Sequence, residues 1–324
     1  MYNASQLLEK VQAYIAGLAY SRPPVGLYEP VAYTLALGGK RIRPLLMLMA
    51  YNIYKEEVDS ILSSATAIET YHNYTLLHDD LMDKADLRRG NLTVHKKWDE
   101  NTAILSGDTM LVLAYKMMTQ CDERYLKEVM DIFNETALEI GEGQQYDMEF
   151  ETRMDVTEAE YLEMIRLKTS VLLAASMKIG AVLAGASAED ASNLYAFGLQ
   201  LGLAFQLQDD YLDVYGDPAV FGKKIGGDIL CNKKTYMLIN ALQRADEGQR
   251  AELNRWLEAE EYDPQEKIQA VTAIYDAIGI KELCHAKIES YFHAASQCLA
   301  NVQVEDARKE VLRAFAASLM KRNM

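Results

Sequence analysis

The placement of proline is the feature of this sequence that most constrains its fold. None of the six prolines in the 324-residue chain falls between Leu45 and Asp217. Proline in a helix interior costs about 3 kcal/mol, so a long proline-free run rich in Ala, Leu, Met and Glu is typical of consecutive helices. Apolar residues also recur at helical spacing, as in the stripe formed by Leu7, Leu8, Val11, Tyr14, Ile15 and Leu18. Because alternating strand patterns bounded by hairpin turns are absent from the sequence, the chain is predicted to be all-α.

The predicted helices cover most of the chain and have short connections. We expect ten or more, at roughly 3–19, 27–37, 42–54, 58–83, 99–119, 123–149, 157–186, 189–215, 233–246, 248–259, 264–279 and 280–320. No linker rich in Gly, Ser or Pro divides them, which predicts a single all-α domain over residues 1–324. The most turn-like interior segment runs from Tyr215 to Asp228. A loop that closes over a phosphate site and a plain surface loop both fit this segment.

Composition limits the location and the partners of the protein. The net charge of −15, with no basic tail or stripe, argues against binding to nucleic acid. The four cysteines form no CxxC pair, and the N-terminus shows no secretory signal, so we expect reduced thiols in a cytoplasmic protein. The most apolar stretch, from Val171 to Ala186, is interrupted by Lys178 and is too short for a membrane span. The sequence therefore predicts a soluble protein with no transmembrane segment.

Two copies of Asp-Asp-x-x-Asp are the most informative motifs for chemistry. The first runs from Asp79 to Asp83 and the second from Asp209 to Asp213, each in a predicted helix. Residues four apart share a helix face, and like charges there cost a few tenths of a kcal/mol unless a cation neutralises them. The flanking residues are mostly apolar, so we expect buried carboxylates that need partners rather than a solvated acidic face. Because Mg²⁺ uses one or two carboxylates together with substrate phosphates, the motifs predict a magnesium–diphosphate site.

Two basic clusters contrast with the acidic composition. Residues 38–44 read GGKRIRP, and residues 88–90 read RRG just beyond the first motif. Arginine's planar fork matches phosphate oxygens, and lysine supplies a point charge. Each cluster alone is more typical of solvated loop cations than of a binding site. Together with two metal-binding motifs, they predict binding of a second phosphate group that does not require Mg²⁺.

In combination, these motifs resemble the trans-isoprenyl diphosphate synthases, also called polyprenyl synthetases. The matching segments follow the order of that family from near the N-terminus to about residue 235. They are GGKRIRP at 38–44, HDDLMD at 78–83, RRG at 88–90, GD at 107–108, GQ at 143–144 with Asp147, KT at 168–169, FQLQDDYLD at 205–213, GK at 222–223, and Asp228 with Lys233. The resemblance implies an all-α bundle around a deep central cavity, usually a homodimer. The implied reaction is the head-to-tail condensation of isopentenyl diphosphate with an allylic diphosphate.

The resemblance also implies a role for each matching residue. Several Mg²⁺ ions per site are implied, with these aspartates as ligands or as shapers of the site: Asp79, Asp80, Asp83, Asp209, Asp210 and Asp213. Of these, Asp79, Asp83 and Asp209 hold the ions that bridge the allylic diphosphate. The same diphosphate is bound by Arg88, Lys168 and Lys223, with Lys233 nearby. Isopentenyl diphosphate is bound by Lys40, Arg43, His72 and Arg89, joined by Arg322 near the C-terminus.

Four of the matching residues are the implied catalytic residues: Lys168, Thr169, Gln206 and Lys223. Thr169 and Gln206 lie where family members stabilise the developing cation. The sequence departs from the family pattern by an extra lysine, Lys224. Whether Lys223 or Lys224 takes the family role is left open by the sequence.

Residues one and two turns before Asp79 are expected to control product length. Tyr71 and Thr75 share its helix row, and Tyr74 lies beside it. An aromatic residue five places before the first aspartate, a small residue four before, and an uninterrupted motif resemble the geranylgeranyl type of the family. Tyr71 could stop growth earlier, at farnesyl. A role of the two tyrosines in helix packing alone is the alternative.

Three other functions fit parts of the sequence. A class I terpene cyclase shares the ionisation chemistry but carries a single motif of this kind and needs no isopentenyl diphosphate site. A non-catalytic subunit of a heteromeric prenyltransferase tends to lose aspartates, whereas all six are present here. A purely structural helical protein does not account for two metal-binding motifs. The sequence therefore favours a prenyltransferase.

Overall fold

The computed structural model describes residues 1–20, 22–217 and 225–321. Its helices, in chain order, are α1 (Ala4–Ala16), α2 (Val25–Ala36), α3 (Ile42–Asn52), α4 (Leu62–Met82), α5 (Val94–Lys97), α6 (Glu100–Met118), α7 (Leu126–Thr152), α8 (Glu158–Ile165), α9 (Val171–Ala184), α10 (Ala188–Tyr215), α11 (Gly227–Leu230), α12 (Tyr236–Arg244), α13 (Glu247–Glu258), α14 (Pro264–Ala277), α15 (Ile280–Ala300) and α16 (Asp306–Met320). A 3₁₀ helix (Val58–Ile61) precedes α4, and a π-helical turn (Arg166–Ser170) joins α8 to α9. The prediction of an all-α fold is confirmed. The predicted site residues Lys223 and Arg322, like Lys224, lie outside the described residues.

A short hairpin, which the sequence pattern did not predict, lies between α4 and α5. Strand β1 (Leu87–Arg88) pairs antiparallel with β2 (Asn91–Leu92). The two turn residues, Arg89 and Gly90, have φ values of 53° and 76°. Positive φ at both positions is what a two-residue type I′ hairpin turn requires. The pattern was missed because each strand has only two residues, too few for an alternation to be visible.

Two predicted helices are interrupted. The segment predicted as 157–186 contains the π-helical turn, and the segment predicted as 280–320 ends at Ala300 and resumes at Asp306. In the second break, the backbone N–H of Gln303 donates to the buried carboxylate of Asp190 at 2.8 Å. A long-range hydrogen bond thus replaces a helical one at this break. The sequence of the break contains no glycine or proline that would have predicted it.

The described residues group into two compact units. Unit 1 comprises residues 1–134, 175–195 and 302–312. Within it, α4 packs along α6, with further contacts of α2 against α6 and of α3 against α4. One buried apolar cluster of this unit consists of Val31, Leu35, Leu77, Val94, Ala103 and Met110. Unit 1 carries the first aspartate motif and both basic clusters.

Unit 2 comprises residues 135–174, 196–301 and 313–321 of the described chain. Here two glycines allow helices to approach the π-helical turn closely. A Cβ atom on Gly143 of α7 would lie 2.3 Å from the backbone nitrogen of Lys168, and one on Gly202 of α10 would lie 2.6 Å from the Cα of Ser170. Unit 2 therefore holds this turn between α7 and α10, close to the second aspartate motif. A single domain over residues 1–324 stays a prediction.

Among the described residues, one stretch is long and apolar enough, by length and composition, to cross a membrane. It covers residues 158–184, and 83% of its most apolar 18-residue window is buried inside the protein. A core helix of a soluble protein meets the same criterion, so the stretch is weak evidence for a membrane span.

Candidate active site

The first aspartate motif lies at the C-terminal end of α4. Asp83 is the C-cap residue, and its backbone N–H donates to the carbonyl of Asp79 at 2.9 Å. The described last turn of α4 contains no basic residue. A helix C-terminus carries partial negative charge, so three carboxylates there oppose the helix dipole as well as one another. The local electrostatics favour a bound cation.

Asp80, the middle residue of this motif, is buried and paired with Arg88. The Arg88 Nη2 and Nε atoms donate to Asp80 Oδ1 at 2.6 and 3.0 Å, and Nη2 lies 3.9 Å from Asp79 Oδ2. Burial raises the pKa of Asp80 and outweighs the opposing effect of Arg88. For Arg88, burial lowers the pKa, but the Asp80 and Asp79 carboxylates raise it further, so the guanidinium stays charged.

The β1–β2 hairpin brings Arg88 and Arg89 to different partners. Arg88 points to the aspartate motif, whereas the guanidinium of Arg89 donates to the carbonyl of Gly38. A Cβ atom on Gly39 would lie 2.8 Å from the Arg89 guanidinium carbon, and Gly39 has a φ of 122°. Gly38 has a φ of 77°, so the backbone turn before Lys40 favours glycine at both positions, and the absence of a side chain on Gly39 also gives space to the Arg89 guanidinium.

His72 and Arg43 come together as predicted for one diphosphate site. Arg43 Nη1 lies 3.1 Å from His72 Nε2, while Lys40 is exposed. Burial, followed by the charges of Arg43 and Arg89, lowers the pKa of His72 well below its ordinary value. His72 is therefore neutral, and its Nε2 accepts the hydrogen bond from Arg43.

Arg41, in the same cluster, is a structural residue. It is buried, and its Nη1 contacts Glu69 Oε1 at 2.5 Å. Glu69 also accepts a hydrogen bond from Asn73 Nδ2 at 2.9 Å. This buried pair fixes the start of α3, where Arg41 has a φ of 48°.

The predicted chain-length residues form part of a larger aromatic cluster in unit 1. The ring of Tyr71 lies 5.5 Å from that of Tyr74 and 5.3 Å from Phe133, which in turn lies 4.9 Å from Tyr115. Thr75 donates its hydroxyl to the His72 carbonyl at 2.8 Å. Sequence reasoning missed Phe133 and Tyr115 because they are on other helices, and spacing along α4 gives no signal for them.

Gly107, the glycine of the GD segment, has a steric role beside the first motif. A Cβ atom on Gly107 of α6 would lie 2.2 Å from His78 Nε2. Glycine at this position therefore gives space to His78, the residue directly before the motif. The ring of His78 stacks edge-on against Tyr74 at 4.9 Å.

The second motif also lies near the C-terminal end of its helix. Asp209, Asp210 and Asp213 fall in the last two turns of α10, whose described last turn again has no basic residue. Asp213 accepts hydrogen bonds from two backbone N–H groups of the following turn. Its carbonyl accepts from Gly226 at 2.6 Å, and its Oδ2 accepts from Asp228 at 2.9 Å. The part of the turn-like segment at 218–224 lies outside the described residues.

Asp210, the middle residue of the second motif, is buried among neutral donors. The Tyr161 hydroxyl donates to its Oδ2, and Gln206 Nε2 donates to its Oδ1 at 3.0 Å. Burial and then the charge of Asp228 raise the pKa of Asp210 to about 7, against the opposing effects of Lys233, Tyr161 and Gln206. Burial also raises the pKa of Tyr161, which stays protonated and donates.

The π-helical turn presents two predicted catalytic residues of unit 2. Lys168 Nζ donates to Asp147 Oδ2 at 2.6 Å, and the Thr169 hydroxyl donates to Gln206 Oε1 at 3.2 Å. Burial raises the pKa of Asp147, but the charges of Lys233 and Lys168 lower it further, so the carboxylate is ionised. Short π-helical turns are frequent at functional sites.

The structure thus assembles the predicted residues in two groups, one in each unit. Unit 1 gathers the first motif, Arg88, Arg89, Arg43 and His72, and unit 2 gathers the second motif with Lys168, Thr169 and Gln206. Within the described chain, no group of three or more His, Cys, Asp or Glu side chains forms a ready-made metal cage. Sequence reasoning missed Tyr161, because a tyrosine at helical spacing signals only a core position.

Comparison with known proteins identifies the family. The polyprenyl synthetase family profile matches residues 24–275. The geranylgeranyl diphosphate synthase of Methanosarcina mazei is 44% identical over 236 residues, covering 72% of this chain and 73% of that protein. A solved geranylgeranyl pyrophosphate synthase is 42% identical, with a TM-score of 0.95 and coverage of 100% of both chains. The Corynebacterium glutamicum enzyme of that name, solved with isoprenyl diphosphate and magnesium, is 28% identical, with a TM-score of 0.84 and coverage of 99% and 97%.

The chain belongs to the polyprenyl synthetase family. It is an isoprenyl diphosphate synthase, and the prediction of a short-chain prenyltransferase is confirmed.

Proposed function

We propose that the protein condenses isopentenyl diphosphate head-to-tail with an allylic diphosphate and that its main product is geranylgeranyl diphosphate, with farnesyl diphosphate as the shorter alternative. The observation that carries the proposal is the position of the two aspartate motifs. Both sets of carboxylates gather at the C-terminal ends of helices, where the dipole adds to their negative charge. Such sites favour cations that in turn bind diphosphate.

Mg²⁺ fits the donor set of both motifs. It prefers carboxylate oxygens, and one or two of them suffice when substrate phosphates and water complete the coordination. Asp79 with Asp83, and Asp209 with Asp213, would hold the ions, several per site. When bound, Mg²⁺ neutralises the charge that develops on the departing diphosphate. The relative from Corynebacterium, solved with magnesium and isoprenyl diphosphate, supports this assignment.

The basic residues around the motifs would bind the allylic diphosphate. Arg88 already lies 3.9 Å from Asp79, and its fork matches a diphosphate as well as it matches Asp80. Lys168 and Lys233 place positive charge beside Asp147 in unit 2. Lys223 keeps the role that the resemblance implies.

The reaction would begin with cleavage of the allylic C–O bond, whose electron pair leaves with the diphosphate. The remaining delocalised carbocation is stabilised by the oxygen dipoles of Thr169 and Gln206, which are fixed before reaction. The double bond of isopentenyl diphosphate then attacks the cation and forms the new C–C bond. A proton is lost to the departing diphosphate, so no side chain has to act as a covalent nucleophile.

Isopentenyl diphosphate would bind at the N-terminus of α3. Arg43 is oriented by the neutral ring of His72, and Arg89 lies against Gly38, so cations converge on this loop. A neutral His72 accepts a hydrogen bond from Arg43 Nη1 and so orients the guanidinium without adding a positive charge of its own. Lys40 adds an exposed charge, and Arg322 stays a predicted contributor.

Product length would be limited by the aromatic cluster next to the first motif. Tyr74 is half-buried, whereas Tyr71 is almost fully buried and contacts Phe133. A chain that grows past Tyr74 would meet Tyr71 one turn further from the aspartates. The relative from Methanosarcina, a geranylgeranyl diphosphate synthase, supports the twenty-carbon product.

A cytoplasmic homodimer is proposed as the working form. Leu105 and Val112, two turns apart on α6, are 58% and 66% exposed. Large apolar side chains at this spacing form an exposed patch of the kind that protein interfaces cover.

Incubation of the purified protein with labelled isopentenyl diphosphate, Mg²⁺ and allylic diphosphates of increasing length tests the proposal. The expected product is a twenty-carbon diphosphate, identified by chromatography after removal of the phosphates. Omission of the allylic substrate and chelation of Mg²⁺ serve as controls. A hydrocarbon product, or no condensation in the complete mixture, would contradict the proposed reaction.

A further inference from the structure

A chain of side-chain hydrogen bonds in unit 2 begins at a residue to which the reaction gives no role. The Tyr161 hydroxyl donates to Asp210, Gln206 Nε2 donates to the other oxygen of Asp210, and the Thr169 hydroxyl donates to Gln206 Oε1. Tyr161 is 1% exposed and Asp210 is 4% exposed. Both oxygens of this carboxylate are thereby occupied by protein donors.

This chain fixes the orientation of the Gln206 amide. Each end of an amide is distinct, because its NH₂ group only donates and its oxygen only accepts. The Asp210 carboxylate takes the NH₂ end, so the oxygen end points to the Thr169 hydroxyl. If the carboxylate swung away, the Thr169 hydroxyl would be the remaining one of these two partners, and a hydroxyl can pair with either end of an amide.

The Tyr161 hydroxyl restrains that movement. Its bond to Oδ2 is the second anchor of the Asp210 carboxyl group, and the ring is held in the core of unit 2. Side chains locked by packing and by outer hydrogen bonds are what hold catalytic groups in a productive geometry.

We propose that Tyr161 is a positioning residue for the condensation reaction. Its hydroxyl, acting through Asp210, holds the Gln206 oxygen towards the developing allylic cation. The inference rests on the proposed role of Gln206. It differs from a purely structural role, because a structural tyrosine would affect stability without acting through Gln206.

The test combines steady-state kinetics with a matched control. Tyr161→Phe removes the hydroxyl and keeps the ring. Tyr54→Phe is the control, because the Tyr54 hydroxyl also donates to a buried carboxylate, that of Asp190, at 3.0 Å. We expect Tyr161→Phe to lower kcat by about tenfold to a hundredfold, since misplacement of a catalytic dipole costs that much, with KM for both substrates nearly unchanged. Tyr54→Phe should leave kcat unchanged.

A double variant shows whether the effect passes through Gln206. Addition of Tyr161→Phe to Gln206→Ala should cause no further loss of kcat, because the dipole to be positioned is already gone. A multiplicative loss, or unchanged kcat in Tyr161→Phe, would overturn the proposal. Full kcat in Gln206→Ala would instead contradict the proposed role of Gln206 itself.

A measurement that does not depend on turnover distinguishes failure of the positioning role of Tyr161 from failure of the proposed catalytic role of Gln206. In protein with ¹⁵N-labelled glutamine, the side-chain NH₂ resonances of Gln206, assigned by their loss in Gln206→Ala, report its hydrogen bond to Asp210. They should shift in Tyr161→Phe and stay in place in Tyr54→Phe. Unshifted resonances in Tyr161→Phe would overturn the positioning role whatever the activity of the protein.

Discussion

The two aspartate motifs share a sequence pattern and a position near helix C-termini, but their middle carboxylates have different partners. Asp80 is bound by the charged guanidinium of Arg88, which also approaches Asp79. Asp210 is bound by the uncharged donors of Tyr161 and Gln206. Burial raises the pKa of both carboxyl groups, and that of Asp210 reaches about 7.

The partner of Asp80 is a charged group that can also bind substrate, whereas the partners of Asp210 are fixed before substrate binds. Arg88 can exchange part of its contact with Asp80 for a diphosphate, because carboxylate and phosphate compete for the same fork. Tyr161 and Gln206 bind Asp210 through uncharged donors, so a diphosphate does not compete with Asp210 for a cation there. We infer that Arg88 changes its contacts with the first motif when substrate binds. The hydrogen bonds around Asp210 in the second motif, by contrast, are in place before substrate binds and stay unchanged.

The largest effect is expected from replacement of the first aspartate of each motif, because both are proposed to bind metal ions. Asp79→Ala and Asp209→Ala should each lower kcat by about two or more orders of magnitude, since each removes a carboxylate that is proposed to bind the metal ions of the diphosphate site. Circular dichroism should show an unchanged helical content. Asp131→Ala, in an exposed ion pair with Lys127, is the control and should keep full activity. Near-normal turnover in either motif variant would refute the metal assignment.

Removal of Arg88 should distinguish the motifs. Arg88→Ala leaves the buried Asp80 carboxylate without its charged partner, which costs about 2 kcal/mol of unfolding free energy or forces its protonation. The same variant should raise KM for the allylic diphosphate by about tenfold, because the loss of one charge-assisted hydrogen bond weakens binding by about this factor. Denaturant unfolding and kinetics measure both effects. Tyr161→Phe should, by contrast, change kcat rather than KM. An unchanged allylic KM in Arg88→Ala would mean that Arg88 serves Asp80 alone.

The aromatic cluster includes Tyr71 and Tyr74 on the helix of the first motif and no residue of the second-motif helix, so variants of these two tyrosines should alter product length. Tyr74→Ala, Tyr71→Ala and the double variant should lengthen the product by one or more five-carbon units, because they remove rings from the proposed end of the cavity. Chromatography of dephosphorylated products measures this. Tyr215→Ala, on the helix of the second motif, is the control and should leave the product distribution unchanged. An unchanged product from the double variant would leave both tyrosines with a packing role.

The last effect concerns stability rather than activity and is expected in the absence of metal and substrate. The pKa of Asp210 is about 7 in the folded protein and near 3.9 in an unfolded chain, so the folded state binds more protons between these values. The free energy of unfolding should therefore fall as pH rises from about 4 to about 7, by at most about 1.4 kcal/mol per pH unit from this group. Asp210→Asn should flatten this dependence, and Asp80→Asn should flatten it less. Equal pH slopes for wild type and Asp210→Asn in chelator-treated protein would contradict the assigned pKa.

The sequence predicted the helical fold and the site through signals that are local. Proline placement and apolar spacing identified α1 and the long central helices, and charge spacing identified both motifs. What it missed depends on contacts between distant segments. The break after Ala300 follows from a bond between Gln303 and Asp190, and Tyr161 gains its role only through Asp210. The roles of Gly39 and Gly107 likewise became visible only when the side chains beside them were placed.

The π-helical turn between α8 and α9 makes the register of this segment depend on one residue. In this turn, the N–H of Val171 bonds the carbonyl of Arg166, five positions back instead of four. Deletion of a single residue there would remove the extra residue that the π-helical turn accommodates and would change which side chains of the turn face α7 and α10. Ser170 would then no longer face the gap left by Gly202. This stretch of chain therefore tolerates exchange of side chains more readily than any change in its length.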